Sequence, residues 1–236
     1  QGVAHFLEHM IFMGSKKYKS PNEYMEFISQ NGGSTNAFTA AEQTTYLFSI
    51  NSKQFAPALD RLSSAIKEPL FDGTMVEKEI NAVNSEWLKN RQTDTFIQQR
   101  ALALTGNPSH PRVKLGVGNK ETLGTNEEQL LSSLRDFHSK FYSANLMKLV
   151  LVGNQSSKEL AKLARKYFSK IVNKNVERPL TNIPAYRAED LSKEIFIRSK
   201  VKSPILIVEF PIENNRDSWK SKPNQYISKL IISQED

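Results

Sequence analysis

The segment Val3–Met13 constrains this chain more than any other, because it is apolar at every position except His5, Glu8 and His9. The pattern predicts a buried helix that ends near Gly14. At about 100° per residue, His9 lies about 40° from His5 around the helix, and Glu8 lies about 60° to the other side. The three polar side chains therefore project within one arc of an otherwise apolar helix.

Two imidazoles that lie one turn apart can chelate one Zn²⁺ ion, which leaves the Glu8 carboxylate beside the metal to act on a water molecule. The alternative interpretation is that His5 and His9 are ordinary helix residues with hydrogen-bonded partners. Unpaired polar groups on an apolar helix carry a large desolvation penalty, however, and a bound metal offsets it directly. We therefore favour a zinc site that includes both histidines.

The third ligand of such a site cannot be a cysteine, because the 236-residue chain contains four His and no Cys. The absence of Cys also excludes disulfides, zinc fingers and cysteine nucleophiles. His110 and His138 lack metal-binding neighbours in the sequence and are predicted to be structural. A catalytic zinc usually has three protein ligands, so a carboxylate is expected to be the third.

Two glutamates on one predicted helix, residues 74–91, are candidates for that ligand. Glu79 and Glu86 are seven residues apart and therefore lie within about 20° of each other on one helix face. Spacing alone does not choose between them. Both could also be solvated surface carboxylates.

The rest of the chain predicts an α+β fold with a mostly antiparallel sheet packed with helices, because strand-forming segments come in adjacent groups with helices between them. The β-forming residues between 34 and 50 indicate two strands. The residues Ser20–Pro21–Asn22–Glu23 resemble a capping box that opens the second helix. Further helices are predicted over residues 55–66, 74–91, 95–104, 126–141 and 157–171, and further strands over residues 147–152, 194–199 and 204–210.

The net charge of +7 does not by itself indicate a nucleic-acid-binding protein. The basic residues are dispersed, and the densest runs, at 16–19 and 219–222, each contain one aromatic residue, which is too little for a stacking platform. We interpret them as solvated surface and expect no nucleic-acid partner. No apolar stretch approaches the roughly 20 residues of a membrane span. The absence of Cys is compatible with a cytoplasmic location, which we expect.

Five segments of the sequence together resemble the insulinase-type zinc metallopeptidases. The order His-x-x-Glu-His is that of the inverzincins, which reverses the thermolysin-type motif. The resemblance covers most of the chain, in order and with family-like spacing. Its segments are residues 5–15 (HFLEHMIFMGS), 31–39 (NGGSTNAFT), 79–86 (EINAVNSE), 106–111 (GNPSHP) and 141–147 (FYSANLM).

This resemblance implies a role for each matching residue. His5, His9 and Glu86 match the zinc ligands, and Glu8 matches the general base. Glu79 matches a second acidic position that supports the ligands. Three further residues match the edge strand that binds the substrate backbone in the family, namely Asn36, Ala37 and the adjacent Phe38. A β-forming segment with little charge can accept an extended peptide by strand addition, although it is also typical of an ordinary amphipathic strand.

The resemblance also divides the chain and limits what it can do alone. Residues 1–175 are expected to form the catalytic domain, and residues 176–236 a linker and the start of a following homologous domain. Because the chain begins at Gln1 inside an apolar pattern, we expect an N-terminal truncation. Family members are much longer, so the missing homologous domains or a partner subunit are expected to complete the enclosure of peptide substrates.

Two functions remain open from the sequence. The first is a zinc-dependent endopeptidase module that hydrolyses short or unfolded peptides. The second is a truncated, catalytically inactive homologue that acts as an interaction or vestigial protein.

Overall fold

The computed structural model describes residues 1–179, 182–198, 205–212, 215 and 218–232. Along this described part of the chain, helices precede and follow one antiparallel β-hairpin. The helices are α1 (Val3–Ile11), α2 (Glu23–Gln30), α3 (Phe55–Lys67), α4 (Val76–Asn90), α5 (Asp94–Leu104), α6 (Lys120–Leu123), α7 (Glu127–Phe141), α8 (Ser157–Phe168) and α9 (Pro223–Ile232), and the strands are β1 (Ser34–Thr39) and β2 (Thr44–Ser49).

The predicted α+β class is confirmed, although the sheet found among the described residues is a single hairpin. Strands β1 and β2 pair in an antiparallel register that places Ser34 opposite Ser49 and Thr39 opposite Thr44. Helix α1 packs against both strands and against α4 and α7. Because α1 is surrounded in this way, its apolar residues Phe6, Leu7, Met10 and Ile11 are completely buried.

Aromatic contacts fix the hairpin against the end of α1. The ring of Phe12 stacks on Tyr24 of α2 at 5.1 Å and meets the edge of Tyr46 on β2 at 5.6 Å. The hydroxyl of Tyr46 is hydrogen-bonded to that of Tyr142, at 2.6 Å. Burial raises the pKa of both of these hydroxyls. Together, these contacts hold β1, β2 and α1 in one fixed arrangement.

The capping-box prediction for α2 is wrong. The helix begins at Glu23, and the preceding Asn22 has a left-handed backbone with φ of 63° and makes no side-chain cap. Because the chain turns at Asn22, Ser20 lies outside the helix. The Glu23 carboxylate instead pairs with Arg61 of α3, with Nε–Oε1 at 2.8 Å.

The strand predicted over residues 147–152 is also wrong, since this segment pairs with no strand in the described part of the chain. Val150 and Val152 are 81% and 84% exposed. The strand predictions at 194–199 and 204–210 fail in the same way for residues 194–198 and 205–210, while residues 199 and 204 lie outside the described part. A β-forming sequence makes a strand only where a neighbour supplies the ladder of hydrogen bonds.

The chain forms two compact units, residues 1–198 and residues 199–236. The second unit contains α9, and within it the side-chain amide of Asn215 donates to that of Asn224 at 2.9 Å. Within the described part of the chain, no helix is both long enough and apolar enough to cross a lipid bilayer.

Candidate active site

Helix α1 and helix α4 bring His5, His9 and Glu86 together. One ligand atom from each side chain lies within 4.8 Å of those of the other two. The Nε2 atom of His5 is 3.4 Å from Oε2 of Glu86, and the Nε2 atom of His9 is 3.6 Å from Oε1 of the same carboxylate. Both imidazoles therefore direct Nε2 at one carboxylate.

These separations suit three ligands around a metal better than three groups that bond to one another. Zinc bonds of 2.0 to 2.2 Å at tetrahedral angles place two ligand atoms about 3.4 Å apart. A direct N–H···O hydrogen bond is shorter, about 2.9 Å. The positions of His5, His9 and Glu86 therefore fit a set of metal ligands.

The other ring nitrogen of each histidine, Nδ1, lies within hydrogen-bonding distance of an oxygen atom. Nδ1 of His5 lies 2.8 Å from the carbonyl oxygen of Val117, and Nδ1 of His9 lies 3.1 Å from Oε2 of Glu79. When Nδ1 carries the proton and donates it to these acceptors, each Nε2 keeps its lone pair for a metal.

Two glycines make the contact at His5 sterically feasible. Gly2, which precedes α1, has φ of 81°, and a Cβ atom there would lie 2.4 Å from Cα of Gly118. Only glycine tolerates both that backbone conformation and that approach. The loop that carries Val117 can therefore lie directly against the first turn of α1.

The two candidate carboxylates of α4 have different environments in the structure. Glu79 is buried and contacts Nδ1 of His9, whereas Glu86 is half-exposed and faces both Nε2 atoms. The geometry therefore favours Glu86 as a metal ligand and Glu79 as the residue that orients His9. The two remaining histidines lie elsewhere: His110 caps a 3-10 turn, and His138 contacts the carbonyl of Ile66 at 2.7 Å.

The site carries an excess of negative charge. Glu8, Glu79 and Glu86 all line one cleft, and the first two are buried. Burial lowers the pKa of His9, but the hydrogen bond to Glu79 and the charges of Glu86, Glu79 and Glu8 outweigh it, so the pKa lies above 6.5. Buried carboxylates need a compensating cation, so the charge distribution also fits a bound metal ion.

The cleft has a volume of about 720 Å³ and is bordered by strand β1. Asn36, Ala37 and Phe38 all line it, so the structure brings the predicted substrate residues beside the histidines. Polar and apolar residues both line the cleft. The polar ones include His5, Glu8, His9, Glu79 and Glu86, and the apolar ones include Phe12, Met13, Met25, Phe38, Phe96 and Val117.

The outer edge of β1 carries backbone groups that are not used in the ladder with β2. The amide of Ala40 donates to the carbonyl of Gln43 at 2.8 Å, which fixes the alternation of the ladder. The N–H and C=O of Ala37 therefore point away from β2. The side chain of Asn36 accepts from the Ala37 amide at 3.0 Å, and among the described residues no other strand pairs with β1.

Two contacts of the site were absent from the sequence-based predictions. Val117 contributes only its backbone carbonyl, which no side-chain pattern reveals. Thr39, at the end of β1, donates its hydroxyl to Oε2 of Glu8 at 2.5 Å. The resemblance includes Thr39 in its second segment, yet nothing in the spacing connects this residue to Glu8.

Comparison with known proteins places this site in a defined context. Residues 1–109 match the family described as insulinase (peptidase family M16), and residues 130–235 match the peptidase M16 inactive domain. The A-factor-processing enzyme of Saccharomyces cerevisiae is 41% identical over 98% of this chain and 23% of its own length. Protease 3 of Escherichia coli is 41% identical over 98% of this chain and 24% of its own length.

A solved structure agrees with these matches. The crystal structure of pitrilysin superposes with a TM-score of 0.78 and 41% identity, over 80% of this chain and 20% of that one. The chain thus spans about a quarter of the length of the curated relatives it matches.

Proposed function

The chain belongs to the insulinase (M16) family of peptidases, and on that premise we propose that it is a zinc-dependent endopeptidase module acting on short or unfolded peptides. The observation that carries the proposal is the convergence of His5, His9 and Glu86 beside the buried carboxylate of Glu8. His5, His9 and Glu86 would hold the metal. When bound, zinc would supply Lewis acidity at the scissile carbonyl.

Glu8 is proposed as the general base. It follows His5 by three residues on α1, so its carboxylate lies in the same cleft as the ligand atoms. There it takes a proton from the attacking water and returns that proton to the leaving amine. Glu79 stays out of this transfer, because its contact is with the far nitrogen of His9.

The outer edge of β1 is proposed to bind the substrate backbone. An extended peptide that pairs with Ala37 adds a strand at the outer edge of β1, on the side away from β2, and lies along the cleft. The Ala37 amide then exchanges its contact with the Asn36 side chain for one with the peptide. Main-chain pairing is indifferent to side-chain identity, which suits a module that accepts different sequences. Because only an extended segment can pair in this way, short or unfolded peptides are favoured over folded proteins as substrates.

Removal and return of the metal test this function. We expect the purified chain to bind one zinc ion and to cleave a quenched fluorescent peptide. A chelator should abolish cleavage, and added zinc should restore it, because the Lewis acid is required for the reaction. Zinc content is measured by elemental analysis beside the cleavage rate.

Two outcomes would contradict the endopeptidase proposal. Cleavage that persists in chelator indicates a contaminating peptidase or another chemistry. Stoichiometric zinc without cleavage supports the second candidate, an interaction or vestigial protein that keeps the metal site.

Substitution of Glu79 tests its supporting role separately. We expect Glu79→Gln to bind zinc about 10- to 100-fold more weakly, since the charged partner that orients His9 is lost. A competition titration with a fluorescent zinc chelator measures the change. Glu77→Gln is the matched control, because Glu77 is an exposed glutamate on the same helix. Equal zinc affinity in the two variants would contradict the role of Glu79.

A further inference from the structure

The hydroxyl of Thr39 contacts the carboxylate that the proposed function makes the general base. We propose that Thr39 is a positioning residue, which orients Glu8 for proton transfer and connects it to the strand that binds substrate. The inference rests on the proposed function, and it adds a residue outside the zinc-binding helices.

Glu8 needs such a partner because it is buried. The residue is 7% exposed, and an ionised carboxylate can only accept hydrogen bonds. Among the described residues, Thr39 is the hydrogen-bond donor to it, with Oγ1 2.5 Å from Oε2. A glutamate on a helix has three side-chain torsions, so without this contact its carboxylate could take several orientations in an open cleft.

The Thr39 hydroxyl is itself fixed by the hairpin. Thr44, its cross-strand partner on β2, has Oγ1 3.2 Å from that of Thr39. Since the Thr39 proton is given to the carboxylate, the Thr44 hydroxyl must be the donor in this second contact. The β-branched side chain of Thr39 has little torsional freedom, which makes it a rigid support.

The position of Thr39 along β1 explains why the support matters for turnover. Thr39 lies two residues beyond Ala37, about 7 Å at the usual rise of a strand. A peptide paired with β1 is therefore held at a set distance from Thr39, and Thr39 sets the place of the Glu8 carboxylate. The same strand thus aligns both substrate and base.

The test is Thr39→Val, which removes the hydroxyl and keeps the shape, in the full zinc-loaded chain. We expect kcat for the quenched peptide to fall about 10- to 100-fold, the order of effect seen when a reacting group is misplaced. KM should stay the same because the β1 backbone is intact, and zinc content should remain stoichiometric. Thr39→Ser should recover most of the loss, since it restores the hydroxyl.

The matched control is Thr105→Val, because Thr105 is also half-buried but its hydroxyl donates to the carbonyl of Ala101, outside the cleft. It should leave kcat unchanged. A loss in Thr39→Ser as large as in Thr39→Val would overturn the proposal. So would a rise in KM with no change in kcat, which would indicate a contribution to peptide binding only.

A second readout does not depend on activity. In the metal-free chain, ¹³C relaxation of the Glu8 side-chain methylene should show greater mobility in Thr39→Val than in the unmodified chain, and Thr39→Ser should restore the order. Unchanged mobility would overturn the positioning role. If this response is seen in a chain that cleaves nothing, the contact stands and the endopeptidase proposal fails, so the two failures are distinguishable.

Discussion

Glu8→Gln should keep one zinc ion per chain and lower the rate of peptide cleavage by about 10²- to 10⁴-fold, the usual contribution of a general base. The amide has the size of the carboxylate but cannot take a proton from water. His5, His9 and Glu86 are untouched, so the metal should stay bound. Elemental analysis and the quenched-peptide assay on the same sample measure the two quantities together.

Glu128→Gln is the control for this experiment, since it makes the same chemical change at an exposed position of α7. It should change neither zinc content nor rate. Full cleavage by Glu8→Gln would remove Glu8 from the mechanism. Joint loss of zinc and activity would instead show that Glu8 acts as a ligand or supports the metal site, which the position of its carboxylate beside Thr39 does not suggest.

The part of the site that lies on one helix could be predicted from the sequence. The angles between His5, Glu8 and His9 follow from the helical repeat, whatever surrounds the helix. The structure brings these side chains into one cleft, as the arithmetic predicts. A local motif of this kind needs no knowledge of tertiary packing.

The choice between the two glutamates of α4 could not be made in that way. Glu79 and Glu86 share a helix face, but seven residues correspond to about 10 Å along the axis. Which of them lies near the Nε2 atoms depends on the offset of α4 relative to α1 along the helix axis. The spacing of residues within α4 does not determine that offset. Only the resemblance distinguished them, and the packing of α4 against α1 favours the same residue.

Contacts that depend on the backbone or on distant segments were also beyond the sequence. Val117 is 112 positions from His5 and acts through its carbonyl. In the sequence, Thr39 is an ordinary β-forming residue. Its contact with Glu8 exists only because β1 packs against α1. The segment at residues 147–152 shows the reverse case, because its composition favours a strand but no neighbour among the described residues pairs with it.

His9→Ala should abolish zinc binding, and with it both cleavage and the stabilisation that zinc gives. His9 offers one of the two imidazole nitrogens and is held by Glu79 on its other side, so alanine removes a ligand and leaves a buried carboxylate without its partner. Zinc at 100 times its dissociation constant stabilises a native chain by about 2.7 kcal/mol. Thermal unfolding with and without zinc should show this shift in the unmodified chain and none in His9→Ala.

His110→Ala is the matched control, because this histidine caps a 3-10 turn away from the cleft. The control should retain both zinc and the zinc-dependent shift, even if it unfolds slightly earlier. Stoichiometric zinc in His9→Ala would show that His9 is not a ligand, and the metal would then have to be held by a set of ligands without it. The comparison separates ligation from folding. A chain that merely packs less well unfolds at a lower temperature both with and without zinc. A chain that has lost a ligand unfolds at the same temperature in both conditions, because zinc no longer stabilises it.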